Sequence, residues 1–194
     1  MNAISTLLDE HRSLAAVLHG MRYVVREIET GRMRPDFGLL GAMVYYIDTF
    51  PERFHHPRED AHLFARVLAR APAAKPLVAK LEAEHVASRE KMRDLVQALE
   101  RYRDGGEREF PAFRDALDAY ASFQWKHMRA EEEELLPIAR AELDAEDWKA
   151  VESGLREATD PLAGARAGDY DALFRRIVTL APPPIGVGPA TRPG

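Results

Sequence analysis

Four stretches of the chain carry an apolar stripe at helical spacing, and each stripe is interrupted by polar residues. In the first, Ile4, His11, Leu18 and Val25 recur every seven residues, with Leu7, Leu14, Met21 and Ile28 as the second track. That is the seam of a bundle-forming helix, closed by Gly31, and His11 is its one polar member. A third helix repeats the pattern through Val78, Leu81, His85, Ser88, Met92, Leu95, Leu99 and Tyr102, and ends at Gly105-Gly106. The second helix is expected from about Asp36 to Ala69, kinked at Pro51 and Pro57, with Leu40, Val44, Ile47, His55, Glu59 and His62 on its stripe. The fourth starts near Pro111 and carries Phe113, Leu117, Tyr120, His127, Glu131, Glu134 and Ile138, with Pro137 near its end.

Four long helices with short connections predict an all-α fold, an antiparallel up-down-up-down four-helix bundle. Residues 1–143 are read as the bundle and residues 144–194 as a C-terminal helical extension. In the extension Asp144 caps a short helix bearing Trp148 and Val151, and Asp160-Pro161 breaks it. A second helix from Asp169 to Leu180 presents Tyr170, Leu173, Phe174 and Ile177. The tail APPPIGVGPATRPG holds five of the 13 prolines and is expected to be extended or mobile.

The two halves of the bundle are copies. His11 and His85 are 74 residues apart; His55 and His127, like Glu59 and Glu131, are 72 apart. Glu10-His11 matches Glu84-His85, and Glu59-Asp60 matches Glu131-Glu132. The repeat is a helical hairpin carrying H…HxxxE. His11 lies 18 residues before the first turn at Glu29, and His55 lies 19 after Asp36. His85 and His127 lie 18 and 17 residues from their own turn. At about 1.5 Å of rise per residue, the four histidines stand level, with two glutamates one turn away on the same faces.

Composition narrows what such a layer can be. The chain has 194 residues, 46% hydrophobic and 30% charged, which fits a single globular domain. It has no cysteine, so disulfides, thiolate zinc sites, cysteine-ligated iron–sulfur clusters and cysteine nucleophiles are excluded. Ionised glutamates in a core cost several kcal/mol each unless paired. A cation offsets that cost, and imidazole with carboxylate suits iron, manganese or zinc. Two carboxylates from opposite helices suit bridging of two ions, with two histidines on each and at least one position left for water or a small molecule. A lone histidine on a stripe carries little meaning; four in duplicated register, two with glutamate at the fourth following position, carry much more.

The net charge of −5, from 27 basic and 32 acidic residues, weighs against nucleic acid as a partner. The start of the chain lacks a basic signal region, and the longest apolar run, Phe37 to Ile47, is too short to span a bilayer. No membrane partner and a cytoplasmic location are therefore expected.

The segments LLDEHRSL, FHHPREDAHLF, LEAEHVAS and WKHMRAEEEELLP resemble the four motifs of the bacterial hemerythrin-like (HHE cation-binding) family, over about residues 4–142. The resemblance implies a four-helix bundle with a non-haem di-iron centre, oxo or hydroxo bridged, in which zinc or manganese can substitute. Carried over by motif, the ligands are His11, His55, Glu59, His85, His127 and Glu131. Oxygen-carrying members have a second histidine one turn along the third helix, where this chain has Arg89. They also carry an aspartate where this chain has Glu132, and Glu131 is preferred by analogy with Glu59. The missing nitrogen ligand leaves both irons open, which favours reactivity with O2, peroxide or nitric oxide over reversible oxygen carriage.

Other polar residues complete the expectations. His62 and Glu134, related by the repeat, are candidate extra ligands or supports to the ligands. His56 is turned off the face and expected to be exposed. His19 is structural, and Tyr45 and Tyr46 either pack or gate the site. The residues are compatible with a di-iron protein that senses, stores or transfers O2, NO or iron. They are also compatible with a di-iron oxidase or peroxidase fed by an external reductant, and less well with a metal-free interaction module. The extension is a candidate homodimer surface.

Overall fold

The computed structural model describes residues 3–157 and 167–188. Helix is the regular structure of these residues, and no strand occurs among them. Helix α1 spans Ala3–Glu29 and buries Leu7, His11, Leu14, Leu18, Met21 and Val25, the seam read from the sequence. It ends at Gly31, whose φ of 70° is one that a residue with a Cβ rarely adopts. Helix α2, Phe37–Thr49, begins where the Asp36 side chain accepts from the Leu39 N–H.

The run beyond α2 continues as a helix of changing width. Phe50–His55 is π-helical, α3 is His56–Arg58, Glu59–Phe64 is π-helical again, and α4 is Ala65–Arg70. Pro51 and Pro57 lack the N–H that an α-helix needs from each residue, and the chain answers with i→i+5 turns rather than one sharp kink. The second hairpin repeats this. Helix α5, Lys75–Gly105, returns through Gly106, whose φ is 72°, to α6, Phe110–Ala130. Glu131–Leu135 is π-helical, and α7 is Leu136–Glu142.

The four long runs pack in a ring: α1 on α2, α2 on α5, α5 on α6, and α6 back on α1. Their interior is two apolar clusters. One holds Leu14, Met21, Leu40, Ile47, Met92, Tyr102, Phe113 and Tyr120; the other holds Leu7, Leu63, Phe64, Leu81, Leu135 and Leu136. His11 lies between Leu7 and Leu14, and His85 between Leu81 and Met92, so the polar layer separates the two clusters. No helix among the described residues is long and apolar enough to cross a membrane.

Helix α8, Ala145–Glu157, lies across α1 and the Glu59–Phe64 segment, and adds Val151 and Leu155 to the second cluster. Asp144 caps it, accepting from the N–H groups of Glu146 and Asp147. Asp147 anchors it to Arg70 at 2.7 Å and Arg66 at 3.3 Å. Helix α9, Ala167–Leu180, sets Leu173, Phe174 and Ile177 against the first cluster, beside α2. The expected break at Asp160-Pro161 lies outside the described residues, as does the Tyr170 side chain. The tail differs from expectation over residues 181–188. It is folded onto α9, with Val187 N–H on the Val178 carbonyl and Gly188 N–H on that of Ala181, both at 2.9 Å. A Cβ on Gly186 would lie 2.1 Å from the Val178 oxygen, so that turn accepts only glycine. Proline richness here shapes a tight turn rather than a loose strand.

Candidate metal centre

Four imidazoles meet in the polar layer, each held by a carboxylate on Nδ1. His11 Nδ1 lies 2.8 Å from Glu132, His55 Nδ1 2.6 Å from Glu10, His85 Nδ1 2.8 Å from Asp60, and His127 Nδ1 2.9 Å from Glu84. An ionised carboxylate only accepts, so each Nδ1 carries a proton, and in the neutral ring, the form that binds a metal, each Nε2 turns a lone pair inward. His11 Nε2 and His55 Nε2 stand 3.1 Å apart, and His85 Nε2 and His127 Nε2 stand 3.0 Å apart. Two facing lone pairs do not bond each other. Two nitrogens about 2.1 Å from one ion, at a right angle, lie about 3 Å apart.

The carboxylates sit between the pairs. One Glu131 oxygen is 3.2 Å from His11 Nε2; the other is 3.2 Å from His127 Nε2 and 3.6 Å from His85 Nε2. Glu59 Oε2 is 3.3 Å from His55 Nε2 and 3.9 Å from His85 Nε2. None of these oxygens has an aligned hydrogen-bond donor, although both side chains are buried. Buried carboxylate oxygens without donors cost several kcal/mol, and a cation removes that cost. Nitrogen and oxygen atoms of His11, His55, Glu59 and Glu131 gather within 4.8 Å, as do those of His56, His85 and His127.

The sequence profile of the hemerythrin HHE cation binding domain matches residues 2–139. This chain belongs to the hemerythrin HHE cation-binding family. The match takes in the turns that carry His11, His55, Glu59, His85, His127 and Glu131 and ends before α8. Comparison with curated proteins gives no match. Cation binding is the property that the family carries, and the histidine and glutamate cluster fits it.

The charge state of the centre follows from its crowding. Burial lowers the imidazole of His11, but Glu131 and Glu132 outweigh it and the group stands at about 10. Likewise, burial is overcome by Asp60 and Glu131 at His85, about 9, and by Glu131 and Glu84 at His127, about 10. Burial and the neighbouring Glu131 push the Glu59 carboxyl up to about 7. Burial also opposes ionisation of Glu131, yet His127, His11 and His85 hold it well below the ordinary carboxylate value. His56 is the reverse case: burial, then the charges of His85, His55 and His127, hold it well below the ordinary imidazole value.

A pH dependence follows for the metal-free hemerythrin domain. The folded chain keeps protons on His11, His85 and His127 up to about 9–10, whereas an unfolded histidine releases its proton near 6.5. That stabilisation is complete below 6.5 and is lost as pH rises through 9–10; Glu59, also raised, acts in the same sense. The melting temperature of the metal-free protein is expected to fall between about pH 7 and pH 10, and that of the metal-loaded protein to hold steady. A metal-free melting temperature that climbs over this range would contradict protonated imidazoles in the folded layer.

The structure brings together all six residues that the motifs nominate. It does not bring in the two further candidates. Glu134 is exposed, and His62 is wedged beneath α8, where a Cβ on Gly154 would lie 2.3 Å from its ring. The reason is local: after Glu59 and Glu131 the helix widens to i→i+5 bonding, so the inward positions are Leu63 and Phe64, and Leu135 and Leu136. His56, expected outside, is 1% exposed and stacks on His85 with ring centroids 4.1 Å apart. Tyr45 is 59% exposed, while Tyr46 packs on Phe50, so neither covers the centre. His19 stacks on Trp125. The four carboxylates on Nδ1 had a signal, since Glu10 and Asp60 recur as Glu84 and Glu132 in the repeat.

Proposed function

We propose that residues 1–143 form an up-down-up-down bundle housing a dinuclear non-haem iron centre, with residues 144–194 as a C-terminal extension whose helix α8 covers one side. His11 and His55 would hold one ion, His85 and His127 the other, and Glu59 and Glu131 would bridge them. The observation that carries this reading is the pair of Nε2–Nε2 separations of 3.1 and 3.0 Å, facing donor-free carboxylate oxygens. Iron, when bound, supplies a change of oxidation state and an open position for a small ligand.

The chain's own part is to hold and enclose. Glu10, Asp60, Glu84 and Glu132 keep the Nδ1 protons and aim each ring. The apolar clusters above and below exclude water from the layer. All six ligating side chains are buried, and such enclosure admits an ion, O2, NO or peroxide rather than a bulky substrate. Handling of such a ligand for sensing, storage or stress response, by a cytoplasmic protein with an external reductant, is the reading the centre supports best.

The test is metal content by plasma mass spectrometry with an ultraviolet–visible spectrum, on protein from iron-supplemented cells. Two irons per chain with near-ultraviolet ligand-to-iron bands are expected, and both are expected to be lost in His55→Ala and His127→Ala. A folded wild-type chain without metal would refute the reading.

A further inference from the structure

The repeat fails in the layer around the His85–His127 pair. The 72-residue offset that carries His55 to His127 carries Glu52 to Gln124, His56 to Met128 and Asp48 to Tyr120, and the 74-residue offset carries Leu14 to Ser88. Glu52, His56, Ser88, Tyr120 and Gln124 gather on the His85–His127 side, whereas Asp48 pairs with Arg53. One Glu52 oxygen accepts from Ser88 Oγ, from Tyr120 at 3.1 Å and from Gln124 at 3.4 Å. Gln124 also donates to Ser88 at 2.6 Å. The other Glu52 oxygen has no donor and lies 3.6 Å from His56 Nδ1, which has no acceptor.

We propose that His56 is a third imidazole ligand on the His85–His127 side, positioned by Glu52 as the other rings are positioned by their carboxylates. His56 shares a 4.8 Å group with the ligand atoms of His85 and His127, stacked on one ring and edge-on to the other. A small closing movement sets its Nδ1 proton on the free Glu52 oxygen and leaves Nε2 as a donor to metal. The nitrogen absent at Arg89 is then supplied from the opposite helix. The centre would then be asymmetric, with three imidazoles offered on the His85–His127 side and two on the His11–His55 side.

The inference rests on the dinuclear reading, and its test separates the two. Wild-type protein loaded with isotopically enriched ferrous iron is assayed first for content. Fewer than two irons per chain sinks the dinuclear reading, and this inference with it. With two irons, two unequal Mössbauer doublets are expected, and a single doublet overturns the assignment of His56. His56→Met, which copies the residue at the matching position, is expected to release one ion to a chelator about tenfold or more faster while keeping the other. Unchanged release of both ions from a folded variant overturns the inference. Glu52→Gln is expected to shift one doublet and leave the second in place; two unmoved doublets would show that Glu52 does not position His56. Should the variants not fold, pulsed paramagnetic resonance of mixed-valence wild-type protein with isotope-labelled histidine counts the rings: five support the proposal, and four reject it.

Discussion

Glu131→Gln is expected to strip metal from the centre more severely than any change outside the proposed ligands. The side chain keeps its shape and loses its charge, and one acceptor oxygen becomes a donor NH2. Both native oxygens are in use, one toward His11 and the other toward His127 and His85. Breaking one partner of a buried charge pair costs about 3–5 kcal/mol, which is about two to four powers of ten in affinity. The measurement is iron retained after dialysis against a graded chelator series, read by plasma mass spectrometry. Glu134→Gln, on the exposed face two residues before Leu136, is the control and is expected to match wild type. Equal retention in both variants would remove Glu131 from the centre.

Arg58→Met carries the second large expectation, this time on stability. Arg58 is 3% exposed, and its guanidinium has three partners on three segments. It donates to the Phe54 carbonyl at 3.0 Å, to the Leu155 carbonyl in α8, and to Glu10 at 2.6 Å, while lying over the Phe54 ring. Methionine fills part of the volume and satisfies none of these acceptors. Glu10 is left with the His55 ring as its one remaining partner, and a buried carbonyl loses its donor. The loss is expected to be about 3 kcal/mol in urea denaturation, or about 6–12 °C in melting temperature. Because Glu10 also aims His55, the ion proposed on that side is expected to dissociate at least about tenfold faster. Arg58→Lys is expected to recover little, since one ammonium cannot reproduce the fork that serves both Glu10 and Leu155. A stability change under 1 kcal/mol in urea would show that α8 is docked without this contact.

The helices and the six convergent side chains were legible because they depend on spacing alone. Heptad tracks gave α1 and α5, and equal distances from the turns set His11, His55, His85 and His127 level. What escaped depends on local departures from that spacing. An unvarying helical period places His62 and Glu134 inside; the wider turns beside Pro57 and Pro137 rotate them out. The same period places His56 outside, as the neighbour of an inward residue. A bundle helix buries a face more than 100° wide, so two adjacent residues can both be interior where α5 and α6 close over them. Glu52 escaped because its signal is a mismatch between the halves, whereas a repeat is read from its matches.

The carboxylates on the rings are of two kinds. Glu10 with His55 and Glu84 with His127 lie within one hairpin, whereas Glu132 with His11 and Asp60 with His85 join one hairpin to the other. A two-fold pair of identical hairpins would reproduce every one of these contacts. It could not place a histidine at position 56 and a methionine at its counterpart, because in a symmetric pair each change occurs twice. Covalent fusion of the two hairpins is therefore what allows the two halves of the centre to differ.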